Sequence, residues 1–468
     1  EGYEYGSFHF LEPSFLHNYT DSTFVLPISN VKVNKIFMIE SSSESKTGRN
    51  LRRCKMLRLE DFIKDREKAK NWAKEKSEKW KKSLGLEEKR LLEDSISFQR
   101  VNNTLEKNRG RSIKISSIRK NVDRLDKALE INDAKLDDSI YVYRNLVSKE
   151  LGDVPDSFYE KGKNTIDREQ YSQFENAFEY GVIHDFMHAN LTPHSGDQSY
   201  PVLLHLKVPK GESMGYLEED QIFIGRNQGF EVKSMKIIAE KGRQVIKVKG
   251  ELTSKGKVAD RIKAVQTNLN DRFTSELGIE QNAIELNIDG FASSVMAHRT
   301  EILLEQFISH MPRNILVSSV EKMNQDAAFI FTDNSLVFYD GNPDDLGFYN
   351  PRKKNLTIQI NHEGHILKKD EVINTLFHEF GHTVDHLLFD NISLEEEFSE
   401  IYEEEKDKIT IEDYIKIDSE EFFAGIFGYL YSPYPQIREQ IQREAPKTCE
   451  FIKNLVENYQ PDESTEAA

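Results

Sequence analysis

One segment, residues 371–389, constrains the fold of this chain more than any other part of the sequence. It reads EVINTLFHEFGHTVDHLLF, and its apolar side chains recur at spacings of three and four residues, which predicts a buried amphipathic helix. His378 and His382 are four residues apart on one helix face, where two imidazoles can bind a single Zn²⁺ ion. Glu379 follows His378 at about 100° around the helix. We therefore interpret HEFGH as a zinc site in which Glu379 is the catalytic base.

A catalytic zinc requires a third protein ligand and an open position for water. The best source is IDSEEFFAGIFGYL, which begins at Ile417 and predicts a second apolar helix. Glu420 and Glu421 are both candidate ligands on this helix. Asp418 and Glu421 also fit a capping box, in which the glutamate serves the helix terminus instead of a metal. The residues alone leave these alternatives open.

Other interpretations of the histidines are less consistent with the pattern. HEGH at residues 362–365 is one residue short of the zinc-binding motif and lacks helical flanks, so it predicts a loop. Leu388 stands six residues after His382, where a metzincin would have its third histidine. On the alternative reading, His378 and His382 are structural side chains that bind neighbouring backbone groups of a core helix.

The composition predicts a folded globular protein of several domains, with 468 residues, 38% hydrophobic and 31% charged. The net charge of -17 disfavours nucleic-acid binding and favours a protein or peptide partner with a basic tail. The Lys-rich stretch at 64–82 is interleaved with acidic residues and predicts a solvated helix face, not a nucleic-acid patch. No apolar run is long enough for a transmembrane segment. Cys54 and Cys449 are too few for a disulfide framework, which fits a cytosolic or a secreted protein.

The pattern along the chain predicts an α+β protein with five parts. Residues 1–58 form an irregular arm that contains a strand at 31–39. Helical patterns dominate residues 59–136, and short β-rich runs such as YVYR, VLLHLKV, QIFIGR, FEVKSMKII and QVIKVKG follow. The β-rich part, residues 137–278, ends with a helix. Residues 279–460 alternate between helices and the strand-like segments IELNI, AFIFT, SLVFYD and LTIQI, and 461–468 form a flexible tail.

Several motifs together resemble the anthrax lethal factor family. They are the HEFGH and EEFFA helices, the closing segment EAPKTCEFIKNLVENY and the upstream GYLEEDQIFIGRNQGFEV. The resemblance implies a zincin-type metalloprotease domain at the carboxyl end. It also implies that the third zinc ligand is Glu421, directly before FFA, and that Tyr414, seven residues earlier, supplies an oxyanion-stabilising hydroxyl.

Two more positions bear on the same site. Asp385, one turn after His382, matches the family and could hold a ligand imidazole, although an exposed helical Asp is the alternative. The family usually has another Glu four residues after the ligand Glu. Gly425 stands at that position in this chain, so any role of that carboxylate is lost or replaced.

The β-rich part resembles the ADP-ribosylating toxin fold found in the middle of lethal factor. Active toxins of that group need an Arg on an early strand, a Ser-Thr-Ser-like strand and a Glu-x-Glu turn. The chain keeps Arg144, reads HANLT near Leu191, and has Gln221 in place of the second Glu. Because that carboxylate orients the NAD ribose and the acceptor, we expect a degenerate domain that serves as a platform for the substrate.

The resemblance also implies a biological role. It suggests a secreted toxin that acts inside a host cell as a zinc endopeptidase, on a target such as the amino-terminal tails of MAP kinase kinases. The first 50 or so residues leave no room for the large domain that docks on protective antigen, so the delivery partner is unknown. The rival hypotheses are an ADP-ribosyltransferase toxin and a non-enzymatic binding protein with a vestigial zinc site.

Overall fold

The computed structural model describes residues 59–461 except 64, 110, 112, 147–149, 152–157, 194–199 and 361–368. The chain divides between Leu57 and Arg58 into two compact units, and all described residues belong to the second unit. The predicted arm and strand at 1–58, the HEGH loop and the tail after 461 lie outside the described residues. The predicted domain boundaries after residues 136 and 278 stay predictions.

A helical region opens the described part of the chain. It contains β1 (Leu59–Glu60), α1 (Arg66–Ser83), α2 (Leu86–Glu93), α3 (Ser95–Asn108) and α4 (Ser116–Glu130). Asp65 caps α1 by accepting a hydrogen bond from the Lys68 amide. Trp80 is fully buried, and its indole donates to the Ala128 carbonyl at 2.8 Å, which ties α1 to α4. The sequence predicted two helical stretches here but not α3 as a separate helix.

A large mixed sheet follows. Its strands after β1 are β2 (Ser139–Leu146), β3 (Tyr180–Ile183), β4 (Met187–Asn190), β5 (Val202–Val208), β6 (Met214–Tyr216), β7 (Gln221–Ile224), β8 (Gln228–Glu240) and β9 (Arg243–Ser254). The order is β3-β8-β9-β5-β2-β4-β7-β6, with β1 parallel to β2. Helix α5 (Arg168–Ala177) precedes β3, and α6 (Lys255–Leu277) leads out of the sheet. These strands include all the β-rich runs that the sequence pointed to.

The carboxyl half is built on a second, smaller sheet. Its elements are β10 (Ile284–Asn287), α7 (Ser293–His310), α8 (Arg313–Lys322), β11 (Phe329–Thr332), β12 (Gly347–Asn350) and β13 (Asn355–Gln359). The order is β10-β11-β13-β12, in which only β12 runs antiparallel to its neighbour. Strand β12 therefore forms one edge of this sheet among the described residues.

The expectation of a strand at SLVFYD is wrong, because Leu336–Tyr339 form a 3₁₀ turn. Only Leu336 is buried there, while Val337 and Phe338 are 54% and 43% exposed. Asp340 closes the turn in the left-handed conformation with φ 71°, which a strand does not accommodate. A short apolar run does not distinguish a strand from a helical turn.

Five helices complete the fold: α9 (Lys369–Leu388), α10 (Glu396–Glu405), α11 (Ser419–Leu430), α12 (Pro435–Glu444) and α13 (Pro446–Asn458). Helices α9 and α11 touch backbone to backbone. A Cβ at Gly381 would lie 2.7 Å from the Ala424 backbone, and one at Gly428 would lie 3.0 Å from the His378 amide nitrogen. Glycine at both positions permits this approach, which brings the EEFFA helix against the HEFGH helix.

Candidate metal centre

The structure brings together the two histidines of α9 and one glutamate of α11. Nε2 of His378 lies 3.0 Å from Oε2 of Glu421, and Nε2 of His382 lies 3.4 Å from the same oxygen. The three side chains are 14% to 20% exposed, so each is partly accessible to solvent. One ligand atom from each residue lies within 4.8 Å of the others, the one such group among the described residues.

The first turn of α11 separates the roles of its acidic residues. Asp418 caps the helix, because its Oδ1 accepts a hydrogen bond from the Glu421 amide at 2.8 Å. The Glu421 carboxylate does not complete a capping box and instead contacts the imidazoles. Glu420 is exposed and belongs to no such group among the described residues. The geometry therefore favours Glu421 over Glu420 as the third ligand.

The pKa values of the Glu421 carboxylate and the His382 imidazole are both shifted from their ordinary values. Burial alone would raise the pKa of Glu421, but hydrogen bonds from His378 and His382 hold that pKa well below its ordinary value. Burial also opposes the charge on His382, yet the hydrogen bond and negative charge of Glu421 outweigh it and raise the pKa of His382 to about 9. Two imidazoles and one carboxylate are a donor set that Zn²⁺ uses in catalytic sites, so these residues fit the ion.

Glu379 lies beside this group but is much less accessible, with 6% exposure. Its Oε2 accepts a hydrogen bond from the Tyr349 amide of β12 at 2.9 Å. Burial raises the pKa of Glu379, and the neighbouring histidines only partly offset that effect. A carboxylate with a raised pKa close to a metal centre is suited to accept and return a proton.

Tyr414 approaches from the 3₁₀ turn Tyr414–Lys416 that precedes α11. Its hydroxyl donates to Oε1 of Glu421 at 2.8 Å, and its ring centroid lies 6.0 Å from that of His378. Burial and the Glu421 carboxylate raise the pKa of the Tyr414 hydroxyl, which therefore stays a proton donor. The structure thus places Tyr414 in the site, bonded to the proposed ligand.

Asp385 and Gly425 have different surroundings from those expected. Asp385 is 3% exposed, so the alternative of an exposed helical Asp is wrong. It accepts hydrogen bonds from the amide and hydroxyl of Ser393 at 3.1 and 2.5 Å and none from His382 among the described contacts. At Gly425 a Cβ would lie 2.4 Å from the Ile415 side chain, so Ile415 fills the space of the missing glutamate.

Sequence reasoning missed Tyr349 and His386. The Tyr349 hydroxyl lies 2.9 Å from Nδ1 of His386. His386 lies two helical turns after Glu379 on α9. No motif marks either residue. The one available indication was that GFYN, which contains Tyr349, is a short aromatic run of the kind that forms strands.

The elements expected of an ADP-ribosyltransferase site lie on the neighbouring strands β2, β4 and β7. Arg144 is paired with Glu150 and lines a cavity of about 310 Å³ that does not include Gln221. Gln221 lines a different, open cavity of about 710 Å³ beside α1. Thr192, at the end of HANLT, is hydrogen-bonded to Asp220. Arg144 and Gln221 thus line different cavities although only β4 separates their strands.

Comparison with known proteins places these observations in a family context. Residues 344–455, which include the whole candidate centre, match the family model of anthrax toxin lethal factor, N- and C-terminal domain. The chain is similar in sequence to lethal factor. It is 24% identical to lethal factor of Bacillus anthracis over 343 residues, 68% of this chain and 42% of that protein. The predicted resemblance is therefore confirmed.

A second relative matches a shorter stretch of the chain. A Pro-Pro endopeptidase of Clostridioides difficile strain 630 is 31% identical over 88 residues, 19% of this chain and 40% of that protein. The chain thus spans about two fifths of the length of each of these curated relatives. None of the described helices has the length and apolarity needed to cross a membrane.

The β-rich part has its own relatives. Residues 69–255 match the ADP-ribosyltransferase exoenzyme family model, which confirms the predicted α+β, multidomain architecture. Among solved structures, the ADP-ribosyltransferase toxin Plx2a from Paenibacillus larvae is 28% identical, with 42% of this chain and 99% of that chain covered and a TM-score of 0.36. The enzymatic component C2-I of the Clostridium botulinum C2 toxin is 16% identical, with coverages of 64% and 76% and a TM-score of 0.40.

Proposed function

We propose that the chain is a zinc-dependent endopeptidase toxin that hydrolyses peptide bonds in a host protein. The observation that carries this proposal is the convergence of one ligand atom each from His378, His382 and Glu421 within 4.8 Å. The buried Glu379 lies on the helix that carries the two histidines. The kinship with lethal factor and with a Pro-Pro endopeptidase supports the same reaction class. We expect His378, His382 and Glu421 to hold the ion.

Each side chain has a distinct chemical role. Bound Zn²⁺ would supply a lowered water pKa and polarisation of the scissile carbonyl. Glu379 takes the proton of the attacking water and returns it to the leaving amine, as its raised pKa favours. Tyr414 donates to the developing oxyanion. For this step the Tyr414 hydroxyl gives up its 2.8 Å hydrogen bond to the Glu421 oxygen and donates to the substrate oxygen instead.

The charge around the candidate metal centre suggests the substrate class. Asp413, Asp418 and Glu420 are exposed on the segment that carries Tyr414 and Glu421, and the whole chain has a net charge of -17. Such a rim favours a peptide with basic residues near the cut site. Amino-terminal tails of MAP kinase kinases are the first candidates, and secretion with action inside the host cell is part of this proposal.

The proposal is tested by metal analysis together with cleavage of a peptide library that contains kinase amino-terminal tails and Pro-Pro sequences. We expect about one zinc per chain and one specific cut site. Glu379→Gln should keep the zinc and abolish cleavage, whereas the matched control Glu420→Gln should keep both. A purified protein that binds no zinc would overturn the proposal and favour a non-enzymatic binding protein.

A second activity, ADP-ribosylation, is suggested by the family match over residues 69–255. The presence of Gln221 in place of the second Glu of the Glu-x-Glu turn argues against it. An NAD glycohydrolase assay decides the matter, since we expect no turnover. NAD hydrolysis that disappears in Arg144→Ala would establish the transferase alternative.

A further inference from the structure

Tyr349 joins strand β12 to helix α9 at two points. Its backbone amide donates to Oε2 of Glu379 at 2.9 Å, and its hydroxyl lies 2.9 Å from Nδ1 of His386. Glu379 and His386 are seven residues apart, about 10 Å along the helix axis. One residue of the strand thus spans two turns of the helix that carries the proposed zinc ligands.

Strand β12 needs such an attachment because it has a paired neighbour on one side only, β13. An edge strand with few ladder partners is weakly fixed in register, and a slip of one residue would turn every side chain to the other face. Its approach to α9 is close, since a Cβ at Gly347 would lie 2.7 Å from the Thr375 side chain. The hydrogen bond between the Tyr349 hydroxyl and His386 connects a polar side chain of β12 to a side chain of α9.

The Tyr349 hydroxyl is suited to this role. Tyr349 is 9% exposed, and burial raises the pKa of its hydroxyl, so the hydroxyl keeps its proton and can donate to Nδ1 of His386. The two rings lie 5.7 Å apart at 54°. Removing only the hydroxyl would leave the ring packing and the backbone amide in place but delete one of the two hydrogen bonds that join the strand to the helix.

We propose that Tyr349 and His386 are positioning residues for the base: their hydrogen bond holds β12 in the register at which the Tyr349 amide fixes Oε2 of Glu379. The other carboxylate oxygen, Oε1, is then directed to the proton of the attacking water. This inference rests on the proposed endopeptidase function for its kinetic consequence, but the fixing of Glu379 is a property of the folded chain itself.

The kinetic test uses the zinc-loaded full chain and the library peptide that it cleaves. Tyr349→Phe and His386→Leu should each lower kcat roughly 10- to 100-fold, as expected for a displaced catalytic group, with KM and zinc content changed less than about twofold. The double variant should lose no more than either single variant, because both remove the same bond. A loss confined to KM or to zinc content would overturn the inference.

The matched control is Tyr429→Phe. Tyr429 is also buried in the carboxyl half, and its hydroxyl donates to Glu412 at 2.5 Å, but it does not contact Glu379. It reproduces the stability cost of deleting a buried tyrosine hydroxyl. We expect its kcat to match the wild-type value. An equal loss of kcat in Tyr429→Phe and Tyr349→Phe would show a general effect of destabilisation.

Hydrogen exchange separates this inference from the proposed function. The Tyr349 amide should exchange slowly in the wild-type chain, and at least about tenfold faster in Tyr349→Phe, His386→Leu and Glu379→Ala, but not in Tyr429→Phe. If no peptide is cleaved, the endopeptidase proposal fails while the exchange result still decides whether Glu379 is fixed in this way. Unchanged exchange in Tyr349→Phe would overturn the inference even in an active protease.

Discussion

Oδ1 of Asp418 accepts a hydrogen bond from the Glu421 amide at 2.8 Å, so the cap of helix α11 and the proposed third zinc ligand share one turn. The bond satisfies a backbone donor that would otherwise lack a partner at the helix terminus. It also fixes the backbone from which the Glu421 side chain reaches His378 at 3.0 Å. We therefore expect helix capping and metal binding to be coupled in this turn.

We expect Asp418→Ala to cost about 1 kcal/mol of stability through the lost cap. It should also weaken zinc binding by about tenfold or more, because a residue behind a ligand orients that ligand. Thermal unfolding and competition with a chromophoric chelator measure the two effects. Asp167→Ala is the control, since Asp167 caps the remote helix α5 through the Glu169 and Gln170 amides. Equal zinc affinity in both variants would disprove the coupling.

Zinc binding should release a proton from His382. With a pKa of about 9, His382 carries a proton at neutral pH before the ion binds, and a ligand imidazole must be neutral. Zinc affinity should therefore rise about tenfold per pH unit up to pH 9. Without zinc, the raised pKa contributes stability below about pH 6.5 that is lost as pH rises through 9.

Calorimetric titration with zinc in two buffers of different ionisation enthalpy measures the released protons. Glu421→Gln removes the anion that raises the pKa of His382. In this variant the rise of zinc affinity with pH should therefore level off at a lower pH. Glu420→Gln is the matched control. Zinc binding at pH 7.5 without proton release would contradict the prediction.

The helix of the candidate metal centre and its two histidines could be predicted from the sequence because they depend on spacing. His378 and His382 lie on one face of any α-helix that contains them. The residues alone did not distinguish Glu420 from Glu421, because that choice depends on how α9 meets α11. The contact of Gly381 with the Ala424 backbone fixes that crossing, and it joins residues more than 40 positions apart.

Other features were beyond sequence reasoning for a physical reason. The bond from Tyr349 to Glu379 uses a backbone amide, which nearly every residue type possesses. Asp385 is buried because Ser393 folds back in a 3₁₀ turn, and no periodic pattern predicts such a return. The adjacency of strands β2, β4 and β7, which carry Arg144, Asn190 and Gln221, depends on strand order, which a strand pattern does not determine.

Gly381→Ala should separate α9 from α11. The added Cβ would lie 2.7 Å from both Cα and O of Ala424, and backbone atoms cannot move aside as a side chain can. We expect a loss of roughly 1–3 kcal/mol from overpacking and a weaker zinc site, since Glu421 moves with α11. Chemical denaturation and zinc titration measure both effects.

The control for this substitution is Gly256→Ala on α6. Nothing lies closer than 3.9 Å to a Cβ at that position, so alanine should leave the stability unchanged or raise it by a few tenths of a kcal/mol through its helix propensity. The same substitution type thus has opposite expected effects at the two sites. Unchanged zinc affinity in Gly381→Ala would mean that the crossing of the helices does not set the ligand geometry.

His205 should make the chain less stable in acid. It is 2% exposed on β5, and its ring lies 4.2 Å from that of Tyr141 and 4.6 Å from that of Tyr143. Burial, with help from Lys247 and against the attraction of Asp61, lowers its pKa to about 4. Between pH 6.5 and 4 the unfolded chain binds a proton at His205 that the folded chain does not bind, so stability is full above pH 6.5 and falls as pH decreases.

The lowered pKa of His205 changes the free energy of unfolding by up to about 3 kcal/mol between high and low pH. We expect the free energy of unfolding to fall less steeply between pH 6.5 and 4 in His205→Gln than in the wild type, measured by urea denaturation across that range. His310→Gln is the control, because His310 is exposed at the end of α7. Parallel pH profiles for His205→Gln and the wild type would show that carboxylates alone determine the acid sensitivity.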